Sequence, residues 1–290
     1  FYPASLYEAL LTDKEKKSLG QVYTPFEIIN NMLHEVFKVK NIEVNTKILD
    51  PSCGGGYFLI EIYKYIRHNH PEIHNRHIVE NMLFGIDIDD FSIFLSKMGL
   101  IFHTGLDDIK FNIYNLDFLI DNLNTGKFDI IIGNPPYVGH KNSTGNYKKL
   151  LYEKYSDVYY DKADISYCFF KKGKELLKQE GIISFITSRY FMEALYADRL
   201  RTFIKENYNI VTLIDYSGDT AFKRAMISPA VIILSNKWNK NMFLYVKKDR
   251  DVIESYEYRQ DKLRNSGWII LKDEDEKLFE KIDSISNTYI

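Results

Sequence analysis

The sequence predicts an α/β fold with a mostly parallel central sheet and helices on both faces, and three observations carry that prediction. Apolar runs of strand length alternate with longer amphipathic stretches, the pattern of a parallel sheet covered by helices. Several of these runs end in a polar residue at a turn, as strands do where an open sheet meets a ligand beyond its carboxyl edge. With 290 residues, 45% of them hydrophobic and 15% aromatic, the chain can bury a large core and is far from a disordered composition.

The expected elements follow in order. A short strand at 47–49 runs into a Gly-rich turn and a helix at 57–67, preceded by a helix at 24–37. A hydrophobic strand at 82–88 ends in an acid and leads to a helix at 91–102, and a strand at 111–114 repeats that form. Residues 128–132 read as a buried strand, and strands at 181–187, 210–216 and 230–234 alternate with helices at 166–178 and 194–206. The stretches 138–163 and 217–229 are polar, contain Tyr, Lys and Gly, and are too long for tight turns, so they read as functional loops. Beyond Asn236 the alternation stops, and 238–270 reads as a charged connector. Leu278, Phe279, Ile282 and Ile285 then recur at helical spacing behind the acidic Asp273 to Glu276.

Composition excludes several classes. A net charge of −2 argues against a wholly basic nucleic-acid binder, although local clusters remain at His140, Lys141, Lys148, Lys149 and Lys154, at Lys223 with Arg224, and at Lys237, Lys240, Lys247, Lys248 and Arg250. No apolar run approaches the ~18 residues of a membrane span. The first twenty residues lack the charge order and cleavage site of a signal peptide. Cys53 and Cys168 cannot form a disulfide framework, so a reducing cytoplasm is the expected compartment. His68, His70, His74 and His77 come without a cysteine, and no metal is assigned to them. The chain begins at Phe1 and reads as a piece of a longer protein.

Four motifs carry chemistry. Asp50-Pro51-Ser-Cys53-Gly54-Gly-Gly follows the first strand, and its glycines permit positive φ and close approach of a nucleotide-like ligand to a helix N-terminus; a tight connection that binds nothing is the plain alternative. It is neither a dinucleotide fingerprint nor a P-loop. In Gly85-Ile-Asp87 a strand-end carboxylate can accept both hydroxyls of a ribose, or cap the next helix. Asn115-Leu-Asp117-Phe118 pairs an acceptor for an amino group with a ring that can stack on a base, and three such elements in succession describe an adenosine pocket.

The fourth motif is Asn134-Pro135-Pro136-Tyr137, at the end of a buried strand. Two prolines stiffen the turn and withhold donors, leaving the Pro135 carbonyl and the Asn134 side-chain oxygen as acceptors for an outside amine, while Tyr137 offers a face for stacking. An amine conjugated to a heteroaromatic ring or a carbonyl is a poor nucleophile because its lone pair is delocalised. Two positioned acceptors draw that nitrogen towards tetrahedral geometry without a strong base.

Together with Gly20-Gln-Val-Tyr23-Thr24-Pro25, this ordered set resembles the gamma-class N6-adenine DNA methyltransferases of bacterial restriction-modification systems, from about Gly20 to about Asn236. The resemblance implies a Rossmann-like S-adenosylmethionine-dependent methyltransferase fold. Residues 1–236 would be the catalytic domain, with a helical part at 1–46, and 237–290 would connect to a target-recognition domain largely outside this chain. It assigns the cofactor to Tyr23, Thr24, Asp50, Pro51, Cys53, Gly54, Asp87, Asp117, Phe118 and Phe169, with Tyr23 and Thr24 near the methionine part, Asp87 on the ribose, and Asp117 with Phe118 and Phe169 around the adenine. Catalysis falls to Asn134, Pro135, Pro136 and Tyr137, and the flipped base to Tyr137 and Phe222. The implied partners are double-stranded DNA and a nuclease and specificity domain, fused or separate, with no membrane. Two rivals are a protein-glutamine methyltransferase, since the same motif suits an amide nitrogen, and an idle cofactor- or DNA-binding subunit of a defence complex.

Overall fold

The computed structural model describes residues 2–5, 24–137, 145–217, 228–237, 241–249, 252–272 and 275. Among the described residues nine strands form one sheet: β1 (Ile48–Asp50), β2 (Leu83–Asp87), β3 (Asn112–Asn115), β4 (Phe128–Gly133), β5 (Leu177–Ser188), β6 (Asn209–Asp215), β7 (Pro229–Ser235), β8 (Met242–Asp249) and β9 (Val252–Arg259). Their spatial order is β3-β2-β1-β4-β5-β7-β6-β8-β9. The first five pair in parallel, β7 runs antiparallel between β5 and β6, β8 is parallel to β6, and β9 returns antiparallel along β8. The carboxyl ends of β1, β2, β3 and β4 therefore share one edge, with Asp50 beside Gly85 and Asp87 beside Asn115.

Helices cover both faces, as period-2 strands with two apolar faces demand. On one face lie α1 (Phe26–Val39), α2 (Tyr57–Asn69) and α3 (Asp90–Thr104). Ile28, Ile29, Met32, Leu33 and Val36 of α1 share one stripe and pack with Ile48, Ile130 and Ile132 of the sheet. On the other face lie α4 (Gly145–Tyr155), α5 (Ser166–Leu176) and α6 (Asp198–Asn207), joined to Leu49, Ile131, Ile183 and Phe185. Helix α3 starts at a side-chain cap, the Asp89 carboxylate accepting the Ser92 N–H at 3.0 Å.

Three expectations need correction. The stretch after Tyr137 contains helix α4, because Leu151 and Tyr155 are buried one turn apart in an otherwise polar segment. Residues 242–259 are strands rather than connector: Phe243 and Tyr245 are buried in the core while intervening residues face outward, and β8 pairs with β6. The domain edge expected at Asn236 thus falls inside the sheet. The helix expected at 194–206 starts as α-helix only at Asp198, behind two short 3-10 turns, and the one expected to reach 178 stops at Leu176 because β5 begins there.

The described chain stays sewn to the fold beyond β9. The fully buried Arg201 guanidinium donates to the Asn265 carbonyl at 2.7 Å and the Ser266 carbonyl at 3.1 Å. Trp268, 1% exposed, meets Phe191 edge to face at 5.3 Å, and its backbone N–H donates to the Met192 carbonyl at 2.7 Å. The helix expected around 278–285 lies outside the described residues, as do the Val138 to Ser143 part of the first loop and Lys223 with Arg224. Among the described residues no helix is long and apolar enough to cross a membrane. No group of three His, Cys, Asp or Glu side chains able to hold a metal comes together among them either.

Candidate active site

The site grows from the carboxyl edge of the parallel strands. Asp50 closes β1 with its side chain 1% exposed; the Ser52 N–H donates to Oδ1 at 3.1 Å, and Oδ2 has no hydrogen-bond partner among the described residues. Burial, with the neighbouring Asp87 charge adding to it, pushes the Asp50 carboxyl up to about 8. Gly133 of β4 lies so close that a Cβ there would meet Asp50 Oδ1 at 2.5 Å. The ends of β1 and β4 thus touch.

Asp87, at the end of β2, stitches the Gly-rich turn to the sheet. Its Oδ2 accepts the Gly54 N–H at 2.8 Å and its Oδ1 accepts the Asp89 N–H at 3.0 Å, while the Cys53 N–H donates to the Ile86 carbonyl at 2.9 Å. Burial raises the Asp87 pKa against these hydrogen bonds. Each carboxylate oxygen keeps a second lone pair for a ligand hydroxyl. Of the glycines, Gly54 has positive φ (48°) and open space around it, whereas a Cβ on Gly55 would lie 2.2 Å from Ala4 Cβ. Only the first glycine faces a potential ligand; Gly55 serves packing instead.

Beside this turn opens a small cavity of about 70 Å³. Pro51, Asp87, Asp117, Phe118 and Phe169, all expected from the sequence to meet a cofactor, line it. So do Ser52, Ile88, Leu116, Tyr147 and Ile165, which sequence reasoning missed. Ile88 is 74% exposed although strongly apolar, a signal visible only once the strand end was placed. Phe118 and Phe169 do not face each other across a gap: their rings stack with centroids 5.1 Å apart and planes at 26°. An intervening base needs two carbon contacts of about 3.5 Å each, so the two rings form one wall and leave Ile88 to offer another surface.

The Asn134 to Tyr137 segment continues β4 along the same edge. Asn134 Nδ2 donates to Thr24 Oγ1 at 3.0 Å, which turns the amide oxygen the other way, and the Asn134 carbonyl accepts from Ser52 Oγ at 3.1 Å. Thr24 is itself buried. Pro135 is buried, and Pro136 and Tyr137 are half-buried. The Tyr137 hydroxyl is enclosed without a hydrogen-bond partner among the described residues, and burial, with Asp164 nearby, raises its pKa well above that of an ordinary phenol. The fold therefore brings Thr24, Asp50, Cys53 and Gly54 alongside the cavity rather than into its lining. Tyr23 and Phe222 lie outside the described residues.

Residues 81–222 match the family model of the Eco57I restriction-modification methylase, and residues 27–118 match that of the MmeI DNA-methyltransferase domain. The type II methyltransferase M.BstVI of Geobacillus stearothermophilus is 27% identical over 248 residues, which cover 79% of this chain and 44% of that protein. Over residues 27–222 the chain is thus similar in sequence to restriction-modification DNA methyltransferases. A class I S-adenosylmethionine-dependent methyltransferase of Listeria monocytogenes superposes with a TM-score of 0.64 at 20% identity, covering 84% of this chain and 72% of that one. The type IIL enzyme MmeI, solved with DNA, superposes with a TM-score of 0.65 at 18% identity, covering 89% of this chain and 42% of MmeI. The α/β architecture expected from the sequence is thus that of the methyltransferases, with an added antiparallel portion. The chain spans less than half the length of its Geobacillus relative.

Proposed function

We propose that this chain moves the methyl group of S-adenosylmethionine to the exocyclic N6 of an adenine in DNA, as a gamma-class catalytic region within a longer restriction-modification enzyme. The observation that carries the reading is the Asn134 amide, held by Thr24 at the end of β4 beside a cavity built from Asp87, Asp117 and stacked aromatic rings. These residues fit the cofactor chemically. Asp87 has lone pairs left for ribose hydroxyls, Asp117 can accept from the adenine amine, and Ile88 with the Phe118–Phe169 wall supplies apolar surface for the base. The buried Asp50 carboxyl lies alongside, where a cationic methionine end would favour its ionised form. When bound, the cofactor supplies an electrophilic methyl on sulfonium.

The protein's part is alignment. Asn134 Oδ1 and the Pro135 carbonyl accept the N6 hydrogens, favouring a pyramidal nitrogen whose lone pair is free. With the cofactor bound, transfer would form the N–C bond as the S–C bond breaks, and the displaced proton would leave to solvent. An adenine cannot be reached inside a duplex, so it is flipped and stacked on Tyr137, with Phe222 for the other face. DNA is then the partner, with a nuclease and a specificity domain supplied from outside this chain. The two buried free cysteines, Cys53 and Cys168, fit a reducing cytoplasm.

Asn134→Ala tests the reading, since a group acting on N6 as it pyramidalises contributes more to the transition state than to binding. The variant should bind S-adenosylmethionine like the parent and lose single-turnover methylation of DNA. Methylation of a protein glutamine by the parent, with none of DNA, would favour the amide reading, and no transfer to either would favour an idle subunit.

A further inference from the structure

Helix α4 leads the chain away from the Asn134 to Tyr137 motif, yet its inner stripe reaches the cofactor cavity. Tyr147, Leu151 and Tyr155 recur every four residues, so they share one face. Tyr155 Oη donates to the Leu119 carbonyl at 2.6 Å and Lys154 Nζ to the same carbonyl at 2.7 Å, which clamps the helix to the turn bearing Asp117 and Phe118. Two turns earlier, Tyr147 lines the cavity and its hydroxyl donates to Asp117 Oδ2 at 2.8 Å.

Asp117 Oδ1 accepts the Leu119 N–H at 2.8 Å and the Ile120 N–H at 3.3 Å, which occupies both of its lone pairs, so a ligand donor must share Oδ2 with the Tyr147 hydroxyl. Burial and the Asp117 charge hold the Tyr147 pKa far above the physiological range, which keeps its hydroxyl a donor. A purine amine entering the cavity thus meets an acceptor whose charge is shared with a phenol. Charge-assisted bonds are the strong ones, and sharing the oxygen weakens both.

We propose that Tyr147 is a positioning residue that competes with the purine amine of the incoming cofactor for Asp117 Oδ2. Cofactor entry then exchanges one hydrogen bond for another and releases the first turns of α4 from the pocket. The inference rests on the cofactor reading of the cavity, and it joins that cavity to the chain segment following Tyr137 through a single oxygen.

Calorimetric titration of the parent and Tyr147→Phe tests it, using S-adenosylmethionine and an analogue whose purine lacks the exocyclic amine. The variant keeps the ring and its packing, which thermal unfolding without ligand verifies. Because a net hydrogen bond is worth about 0.5 to 1.5 kcal/mol, Tyr147→Phe should bind S-adenosylmethionine about threefold to tenfold tighter. It should bind the amine-free analogue no differently from the parent. A merely structural role for Tyr147 would weaken binding instead. Unchanged or weaker binding of S-adenosylmethionine overturns the competition, and so does an equal gain for both ligands, which would mean that only space had been made. No binding of either ligand by the parent overturns the cofactor reading itself, and the competition with it.

Discussion

Replacing Asp50 by Asn should change how stability depends on pH. In the folded protein this carboxyl is 1% exposed and titrates at about 8, against 3.8 for the ordinary side chain, chiefly because burial penalises its charge. Between those values the folded state holds a proton that the unfolded chain has lost, so stability falls as pH rises, by about 1.4 kcal/mol per pH unit. The loss begins near pH 4, is complete above about 8, and sums to roughly 6 kcal/mol. Asparagine removes the titration. Its Oδ1 can still accept the Ser52 N–H, and its amide nitrogen replaces the unpartnered Oδ2 at a fixed cost of about 1 to 3 kcal/mol for a buried donor without an acceptor. That cost is independent of pH, so slopes decide where absolute stabilities do not. Urea unfolding of both proteins at pH 5, 6, 7 and 8 should show Asp50→Asn gaining about 4 kcal/mol relative to the parent across the series. Parallel curves for the two proteins would mean that Asp50 is ionised in the folded state, and the argument from burial would fail.

Asp87→Asn keeps one acceptor for the Gly54 and Asp89 N–H groups but loses charge, and calorimetry should show about a tenfold or greater loss of S-adenosylmethionine affinity; equal affinity would remove Asp87 from the ribose. Tyr137→Phe should unfold no earlier than the parent, because the hydroxyl it deletes is enclosed without a partner, and it should keep most turnover. Tyr137→Ala should lose turnover, since stacking on an extruded base is worth roughly 1 to 3 kcal/mol; single-turnover methylation compares the two. With a net charge of −2 the chain should hold duplex DNA only at the non-specific level of ~10⁻⁴ to 10⁻⁶ M with strong salt dependence, read by gel shift over a salt series. Nanomolar, sequence-selective binding would place recognition inside these residues.

The strand ends were legible because each joins a mostly apolar run to a polar turn, which lines up Asp50, Asp87, Asp117 and Asn134 along one edge. The long parallel-strand core reads clearly for the same reason: buried on both faces, it tolerates almost nothing but Ile, Leu, Phe and Val. Helix α4 was hidden because only Tyr147, Leu151 and Tyr155 mark its inner face amid lysines and asparagine. Strands β8 and β9 were hidden because strands at the margin of a sheet carry charge, here Lys247, Lys248, Glu254 and Glu257, which blurs the alternation. The stacking of Phe118 on Phe169 could not be read at all. It depends on how α5 sits on the sheet, a relation between elements far apart in sequence, and the same is true of Tyr147 reaching Asp117.

The continuation of the sheet through β8 and β9 bears on how such enzymes could be recombined. Cutting the chain at Asn236 would strip β8 from β6 and leave the hydrogen-bonding edge of a core strand bare, an invitation to aggregate. It would also remove Gln260, which accepts the Ile210 N–H at 2.8 Å and donates to the Tyr208 carbonyl at 2.7 Å, and would take away two of the four carbonyl acceptors of the buried Arg201 guanidinium. A segment exchanged at that seam would tear the sheet. Grafts joined beyond Ile270 would leave Trp268 in its socket, so the interchangeable part of this architecture begins more than thirty residues later than the motif pattern suggests.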